Sequence, residues 1–410
     1  MREMKDSGVE WIGEIPKNWK ICRLKDYAHI CNGRDYSEVL AENGDYPVIG
    51  SGGQFAKACE PLYQKESVLL GRKGTIDKPL FVDYPFWTVD TMYYTEIKEN
   101  VSAKYFYYLC TQIEFDFYQY GSAVPSMTQR DLYNVNFPYP TLDEQRRIAN
   151  YLDRKCSQID TIIARQQEVI EKLKAYKLSV ITEAVTKGLN PDVSMKDSGV
   201  EWIGEIPEHW KMVRLKFLLS HIIDCPHETP IYSADGDYLV IRTADQDLGK
   251  LRTDEDMYRL DEGEYQNRIR RMPLEKDDIV YGREGERWGL ACLVPESNKY
   301  CLGQRMLQFR CKRELFLPRF AMWALNSKFV YLQGAVDTIG STSPHVNIST
   351  VRNFLIPVPN TNEQQEIIEY VDKKMLQLDK EVEHRELLIC KLNEYKKSLI
   401  YEVVTGKRCN

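Results

Sequence analysis

Twenty-two residues at positions 4–25 return almost verbatim at 195–216, with 18 positions identical at a constant offset of 191. Only Lys17/Glu208, Asn18/His209, Ile21/Met212 and Cys22/Val213 differ. An internal repeat of this quality constrains the fold more than composition does, because each copy must begin an equivalent structural unit. A second correspondence, at an offset of 219, joins Gly121/Gly340, Pro125/Pro344, Pro138/Pro357, Pro140/Pro359, Glu144/Glu363, Gln145/Gln364, Asp153/Asp372 and Asp160/Asp379. The second unit thus holds 28 more residues than the first, all between the opening motif and the Gly-Ser loop at 340. The frame repeats while its contents differ, which predicts two units doing different tasks of one kind.

Within each unit the first part reads as compact α+β. Short β-branched and aromatic runs such as Val48-Ile49 and Val68-Leu69-Leu70 alternate with Gly, Pro and Asp punctuation. Residues 104–117 have helical spacing on an aromatic face. At Thr141 the character changes. Thr141 and Glu144 stand at capping-box spacing, and Ile148, Leu152, Ile159, Ile162, Val169, Leu173, Tyr176 and Val180 then advance by fours and threes, as along a coiled-coil seam. The pattern predicts a helix to about Lys187, roughly 65 Å long, ended by Gly188 and Pro191. Its counterpart seam is Ile367, Val371, Leu378, Leu388, Leu392, Tyr395 and Leu399. No small domain buries such lengths, and connectivity makes the two helices antiparallel. The expected fold is α+β: two pseudo-two-fold-related globular domains, residues 1–140 and 191–359, separated by a long antiparallel two-helix coiled coil formed by 141–190 and 360–410.

No uncharged apolar run approaches the ~20 residues that span a bilayer, and the start of the chain lacks the apolar core of a signal peptide. A cytoplasmic chain without membrane contact is expected. Eleven cysteines without a Cys-x-x-Cys pair argue for reduced thiols rather than a disulfide framework or a zinc site. The net charge of −6 divides as −4, +2, −3 and −1 over the four segments above. Any nucleic-acid binding must therefore rest on local clusters of cations or on a partner that shares the phosphates.

Catalytic spacings are absent: no phosphate loop, dinucleotide fingerprint, His-Glu-x-x-His or Gly-x-Ser-x-Gly is present, nor the Asn/Asp-Pro-Pro-Tyr/Phe tetrapeptide of amino-methyltransferases. His221, Cys225 and His227 lie close together but lack a second ligand group at finger spacing, so a loop before Pro230 is the simpler reading. What remains resembles ligand-reading surface. Arg72, Lys73 and Thr75 sit on a Gly-flanked turn, with Arg283 and Arg287 at its counterpart. The run 266–271 places Arg268, Arg270 and Arg271 in the alternation of a strand beside Arg242. The hydroxyl-rich loop Ser122, Ser126, Thr128 and Gln129 is matched by Ser341, Thr342, Ser343, His345 and Asn347. All are candidates for phosphate or base contact; solvated hairpins, charged faces and helix caps are the plainer alternatives.

The order of parts resembles one family over the whole chain: GVEWIGEIPxxW, variable domain, Glu144-Gln145 helix, the junction TEAVTKGL, the motif again, a second variable domain and the Glu363-Gln364 helix. This is similar to the specificity subunit of type I restriction-modification systems. The resemblance implies two target recognition domains, each reading half of a split double-stranded DNA target, with the helices as a ruler between them; the 28 extra residues and unrelated sequence of the second unit then suggest that the halves differ, giving an asymmetric site. It also implies a subunit without catalysis or cofactor of its own, assembled with two adenine methyltransferase subunits that use S-adenosylmethionine. In a full complex two restriction/translocase subunits using ATP and Mg join it. A duplicated coiled-coil adaptor that never touches DNA is the rival from another class; a self-contained methyltransferase or nuclease lacks its motifs.

Overall fold

The computed structural model describes residues 2–115, 125–252, 254–285, 287–338 and 344–408, leaving aside the side chains of Asp254 and Asp337. It forms two compact units, residues 1–167 with 386–410, and residues 168–385. Each unit therefore owns half of both long helices, Leu142–Lys187 and Thr361–Val404. The helices are part of each unit's core rather than appendages to it.

In the first unit a four-stranded antiparallel sheet runs in the order Ala28–Asn32, Met92–Ile97, Ser67–Gly71, Leu80–Val82. Beside it lies a three-stranded sheet, Gly53–Ala58, Tyr46–Gly50 and Trp87–Thr88, the last pair parallel. The repeated motif supplies the hairpin Met4–Asp6/Glu14–Pro16, and its strand Lys20–Arg23 pairs with Asn136–Tyr139 at the entrance to the first long helix. The second unit repeats this plan. Its four-stranded sheet is Leu219–Asp224, Met306–Cys311, Ile279–Gly282, Ala291–Leu293, and its three-stranded sheet is Tyr258–Leu260, Tyr238–Ile241, Tyr300–Leu302. Most of the extra residues enter between Ile241 and Gly282, as the hairpin Gln246–Asp247/Lys250–Leu251 and the helix Glu262–Ile269. The expected helix over 104–117 is shorter, Ala103–Cys110, capped by Ser102.

The Glu-Gln pair at the start of each long helix has a structural purpose. Gln145 is fully buried; its Oε1 accepts from the Ser102 amide at 2.9 Å and its Nε2 donates to the Pro140 carbonyl at 3.1 Å. Gln364 does the same with the Leu317 amide at 2.8 Å and the carbonyls of Pro359 and Leu315 at 3.0 and 2.8 Å. About two turns further on, Asp153 accepts from Lys104 and Tyr108, while Asp372 accepts from Arg319 and Trp323. Two-ended amide bonds of this kind fix the angle between a short domain helix and the long helix, because a slipped register would strand buried donors and acceptors.

Both halves of the helix pair are antiparallel. In the first unit Ile148, Leu152, Cys156 and Ile159 share a core with Leu399, Ile400, Val403 and Val404; in the second, Val180, Ile181, Ala184 and Val185 share one with Ile367, Ile368, Val371 and Met375. The predicted seam is corrected at three places. Ile162, Tyr176 and Tyr395 are 41%, 51% and 49% exposed. Their inward places fall to the next residues, Ile163, Lys177 and Lys396; an ordinary α-helix drifts by about 20° per heptad from a strict 3.5 repeat. Both lysines lay their stems along the seam and reach an aspartate of the opposite helix: Lys177 pairs with Asp379, and Lys396 Nζ lies 2.7 Å from Asp160 Oδ1. The same pair thus recurs with the helices exchanged.

Burial pushes the Asp379 carboxyl up, but hydrogen bonds from Lys177 and Lys250 outweigh it and hold the group below its ordinary range. A carboxyl depressed in the folded state stabilises the fold at neutral pH and loses that contribution as pH falls through its folded value. Unfolding of the wild-type chain is expected to become easier below about pH 4, and Asp379→Asn to lower stability at pH 7 while flattening the acid limb. Equal acid slopes for the two proteins in denaturant titrations would contradict this linkage.

Candidate nucleic-acid interface

Strand direction gathers the site. In the first unit the end of Ala28–Asn32, the start of Met92–Ile97 and the end of Ser67–Gly71 lie at one edge of the four-stranded sheet. Gly71 closes the turn tightly: a Cβ there would stand 2.5 Å from the Thr75 carbonyl oxygen and from Ile76 Cα. Behind this turn the Arg72 and Lys73 amides both donate to the Thr91 carbonyl, at 2.9 and 3.2 Å. The Gly74 amide donates to Pro125 O and the Met127 amide to Arg72 O, each at 3.0 Å, so the turn is stitched to the segment 125–128. Lys73 and Ser126 form a bridge there. Arg72 is half-buried, its guanidinium 5.9 Å from the Tyr93 ring centre and 3.4 Å from Asp90 O. Lys73 is exposed, and its ammonium has no partner among the described residues.

The sequence offers the turn and the hydroxyl-rich loop as separate candidates, and it is the structure that joins Arg72 and Lys73 to residues 125–128; Thr128, however, is a helix cap. Its hydroxyl accepts from the Asp131 amide at 3.2 Å and donates to the Asp131 carboxylate at 2.6 Å, starting the helix Gln129–Asn134. Gln129 Nε2 donates to Asn32 Oδ1 at 3.2 Å, adding a strand-end asparagine that the sequence alone did not single out. Ser122, Ser341, Thr342 and Ser343 lie outside the described residues.

The second unit builds the same edge. The Gly285 amide donates to Pro344 O and the Val346 amide to Arg283 O, both at 3.0 Å, and Glu284 bridges with His345. Arg72 therefore corresponds to Arg283, Lys73 to Glu284, and Ser126 to His345. Arg283 is buried. Its Nη1 lies 3.1 Å from Glu284 Oε1, and its Nε lies 3.3 Å from Asp224 Oδ1 in an ionic contact whose direction does not make a hydrogen bond. Glu284 also meets His345 Nδ1 at 3.0 Å and Arg305 Nε at 3.8 Å. Arg305, 57% exposed and held at a φ of +70°, is a cation the sequence reading missed. Asn347 stands exposed at the head of the helix Ile348–Arg352.

The basic run is where the structure departs furthest from expectation. Residues 266–269 belong to the helix Glu262–Ile269, capped by Asp261, and not to a strand. Arg268 is buried, donating to the carbonyls of Leu302 at 2.8 Å, Glu228 at 2.8 Å and Pro226 at 3.3 Å. It is a brace for the loop 226–228. Arg270 is exposed, and Arg271 is also exposed but donates to Asp224 O at 2.9 Å. Arg242 is clamped by buried Asp245 at 2.7 and 2.8 Å and stacks 3.7 Å from the Tyr258 ring centre; Arg287 donates to Gln246 O at 2.8 Å. His227 pairs with Asp224. Each unit also carries an aromatic pair, Tyr36 with Phe55 in the first and Tyr232 with Tyr258 in the second, at ring separations of 5.3 and 4.6 Å. The ten described cysteines are unpaired, and burial pushes the thiols of Cys292, Cys301 and Cys311 up to about 12. Among the described residues no helix is long and apolar enough to cross a membrane.

The type I restriction modification DNA specificity domain matches twice, over residues 16–172 and 207–387. The MjaVIII type I restriction enzyme specificity subunit of Methanocaldococcus jannaschii is 23% identical over 96% of this chain and 93% of its own length. The EcoBI specificity subunit of Escherichia coli is 22% identical over 99% and 90%. A solved chain from work on complex assembly and conformational transition of the type I R-M system has the same fold, with a TM-score of 0.68 over 95% of this chain and 98% of that one, at 15% identity. With a doubled frame, two equivalent strand-end edges and two matched domains, this chain belongs to the family of type I restriction-modification DNA specificity subunits.

Proposed function

We propose that the chain is the non-catalytic reader of a type I restriction-modification complex, in which each unit reads one half of a bipartite DNA target through its strand-end edge. The two long helices set the gap between the halves and dock two adenine methyltransferase subunits, which supply S-adenosylmethionine chemistry. Two restriction/translocase subunits using ATP and Mg complete the larger assembly. One observation carries this reading: the same backbone edge recurs on one frame, stitched by equivalent hydrogen bonds, while its side chains change from Arg72-Lys73 to Arg283-Glu284. A duplicated frame with divergent tips suits two half-targets of different sequence; the rival, an adaptor joining two protein partners without touching DNA, is separated from it by the binding test below.

Charge reversal tests it. With the methyltransferase subunit present, Arg72→Glu/Lys73→Glu is expected to weaken binding of duplexes by roughly 10- to 100-fold and to reduce the salt slope by about 1 to 2. The loss should fall on sequence changes in one half of the target only. Equal loss at both halves would overturn the assignment of one unit to one half, and wild-type binding without sequence selectivity at any salt would favour the adaptor.

A further inference from the structure

The equivalence of the two edges carries a more specific reading. Backbone bonding places Lys73 and Glu284 at the same position: each follows the arginine after a strand-ending glycine, and each bridges to the residue after a proline, Ser126 or His345. The sign of the side chain is reversed between them. An ammonium only donates and a carboxylate only accepts, so the two positions cannot be satisfied by the same atom of a base edge. In the major groove guanine offers O6 and N7 as acceptors, whereas cytosine N4 and adenine N6 are the donors. The cation pairs around Glu284 do not remove it from this role. Arg283, His345 and Arg305 fix its carboxylate in place, and its side chain keeps 22% of its surface exposed. A held acceptor loses little freedom on meeting a base.

Resting on the half-target reading above, we propose that position 73/284 is a specificity-determining pair. Lys73 selects a guanine in the half read by the first unit, and Glu284 selects a base with an exocyclic amino group, cytosine above all, in the half read by the second. One charge reversal on a shared backbone then contributes to the asymmetry of the target.

The test maps methylated adenines over a plasmid library carrying randomised targets, using the chain assembled with its methyltransferase subunit. Wild type should return a two-part motif with guanine at one position of one half and cytosine or adenine at one position of the other. Glu284→Gln adds a donor beside the acceptor, the arrangement that pairs with adenine N6 and N7; it is expected to shift that position towards adenine roughly ten-fold and to leave the other half unchanged. Lys73→Gln, at an exposed side chain, is expected to relax the guanine in its half alone. Unchanged motifs in both variants, beside a two-part wild-type motif, would overturn the pair while leaving the half-target reading intact. So would a uniform loss of methylation over all sequences in Glu284→Gln, since that marks a residue that only positions Arg283 and Arg305. A wild-type motif in one undivided block would overturn both.

Discussion

Replacing Arg268 by alanine is expected to destabilise the second unit by about 3–5 kcal/mol, through carbonyls left without a donor in a buried place. The guanidinium donates to Leu302, Glu228 and Pro226 at once, tying the added helix to the end of the strand Tyr300–Leu302 and to the loop after Leu219–Asp224. No other side chain makes that planar fork, so Arg268→Lys should recover less than half of the loss. Arg270→Ala, two residues on and exposed, should stay within about 0.5 kcal/mol. Urea unfolding followed by fluorescence reads all three. A stable Arg268→Ala protein with weakened DNA binding would restore Arg268 to the DNA-contacting role that its place in a basic run suggests.

That run shows where sequence reading succeeds and where it stops. The frame is legible because its identities are dictated by packing that recurs. Gln145 and Gln364 must satisfy the same two-ended amide bond, and the proline pairs 138/357 and 140/359 hold the same entrance to a long helix. Burial of a cation is not legible, because a solvated arginine and one ringed by carbonyls look alike in sequence. Local capping signals were present and could have corrected two assignments. Asp261 with Glu264 marks a helix start before the run, and Thr128 with Asp131 marks another, so both hydroxyl and arginine had structural employment in view. The seam fails differently. Adjacent candidates such as Ile162 and Ile163, or Tyr176 and Lys177, cannot be ranked without knowing the pitch, and a lysine inside a seam is visible only through its aspartate partner. The opposed charges at Lys73 and Glu284 needed the hydrogen-bond register before they could be seen as one position.

The repeated motif makes its own prediction at the far ends of the long helices. In the first unit the second long helix ends on Gly406, at a φ of +74°, where a Cβ would stand 2.5 and 2.6 Å from Pro16 Cγ and Cδ and 3.0 Å from the Trp19 ring. In the second unit the first long helix ends on Gly188, at a φ of +73°, where a Cβ would meet Trp210 at 3.2 Å and Glu363 Oε1 at 3.3 Å. Each copy of the motif thus collars the start of one long helix and the end of the other. Left-handed backbone alone costs an alanine about 1–2 kcal/mol, and overpacking against two rigid rings adds about 1–3 kcal/mol. Gly406→Ala is therefore expected to lose about 2–5 kcal/mol. Gly188→Ala, facing contacts that need to give only a few tenths of an ångström, should lose about 1–2 kcal/mol. Both are read from denaturant midpoints of the full chain, and proteolysis of the first unit should accelerate in Gly406→Ala before that of the second. Equal losses in the two variants would mean that the collar around Trp19 is no tighter than the one around Trp210, and that the near-identity of the two motifs reflects a shared partner surface more than shared packing.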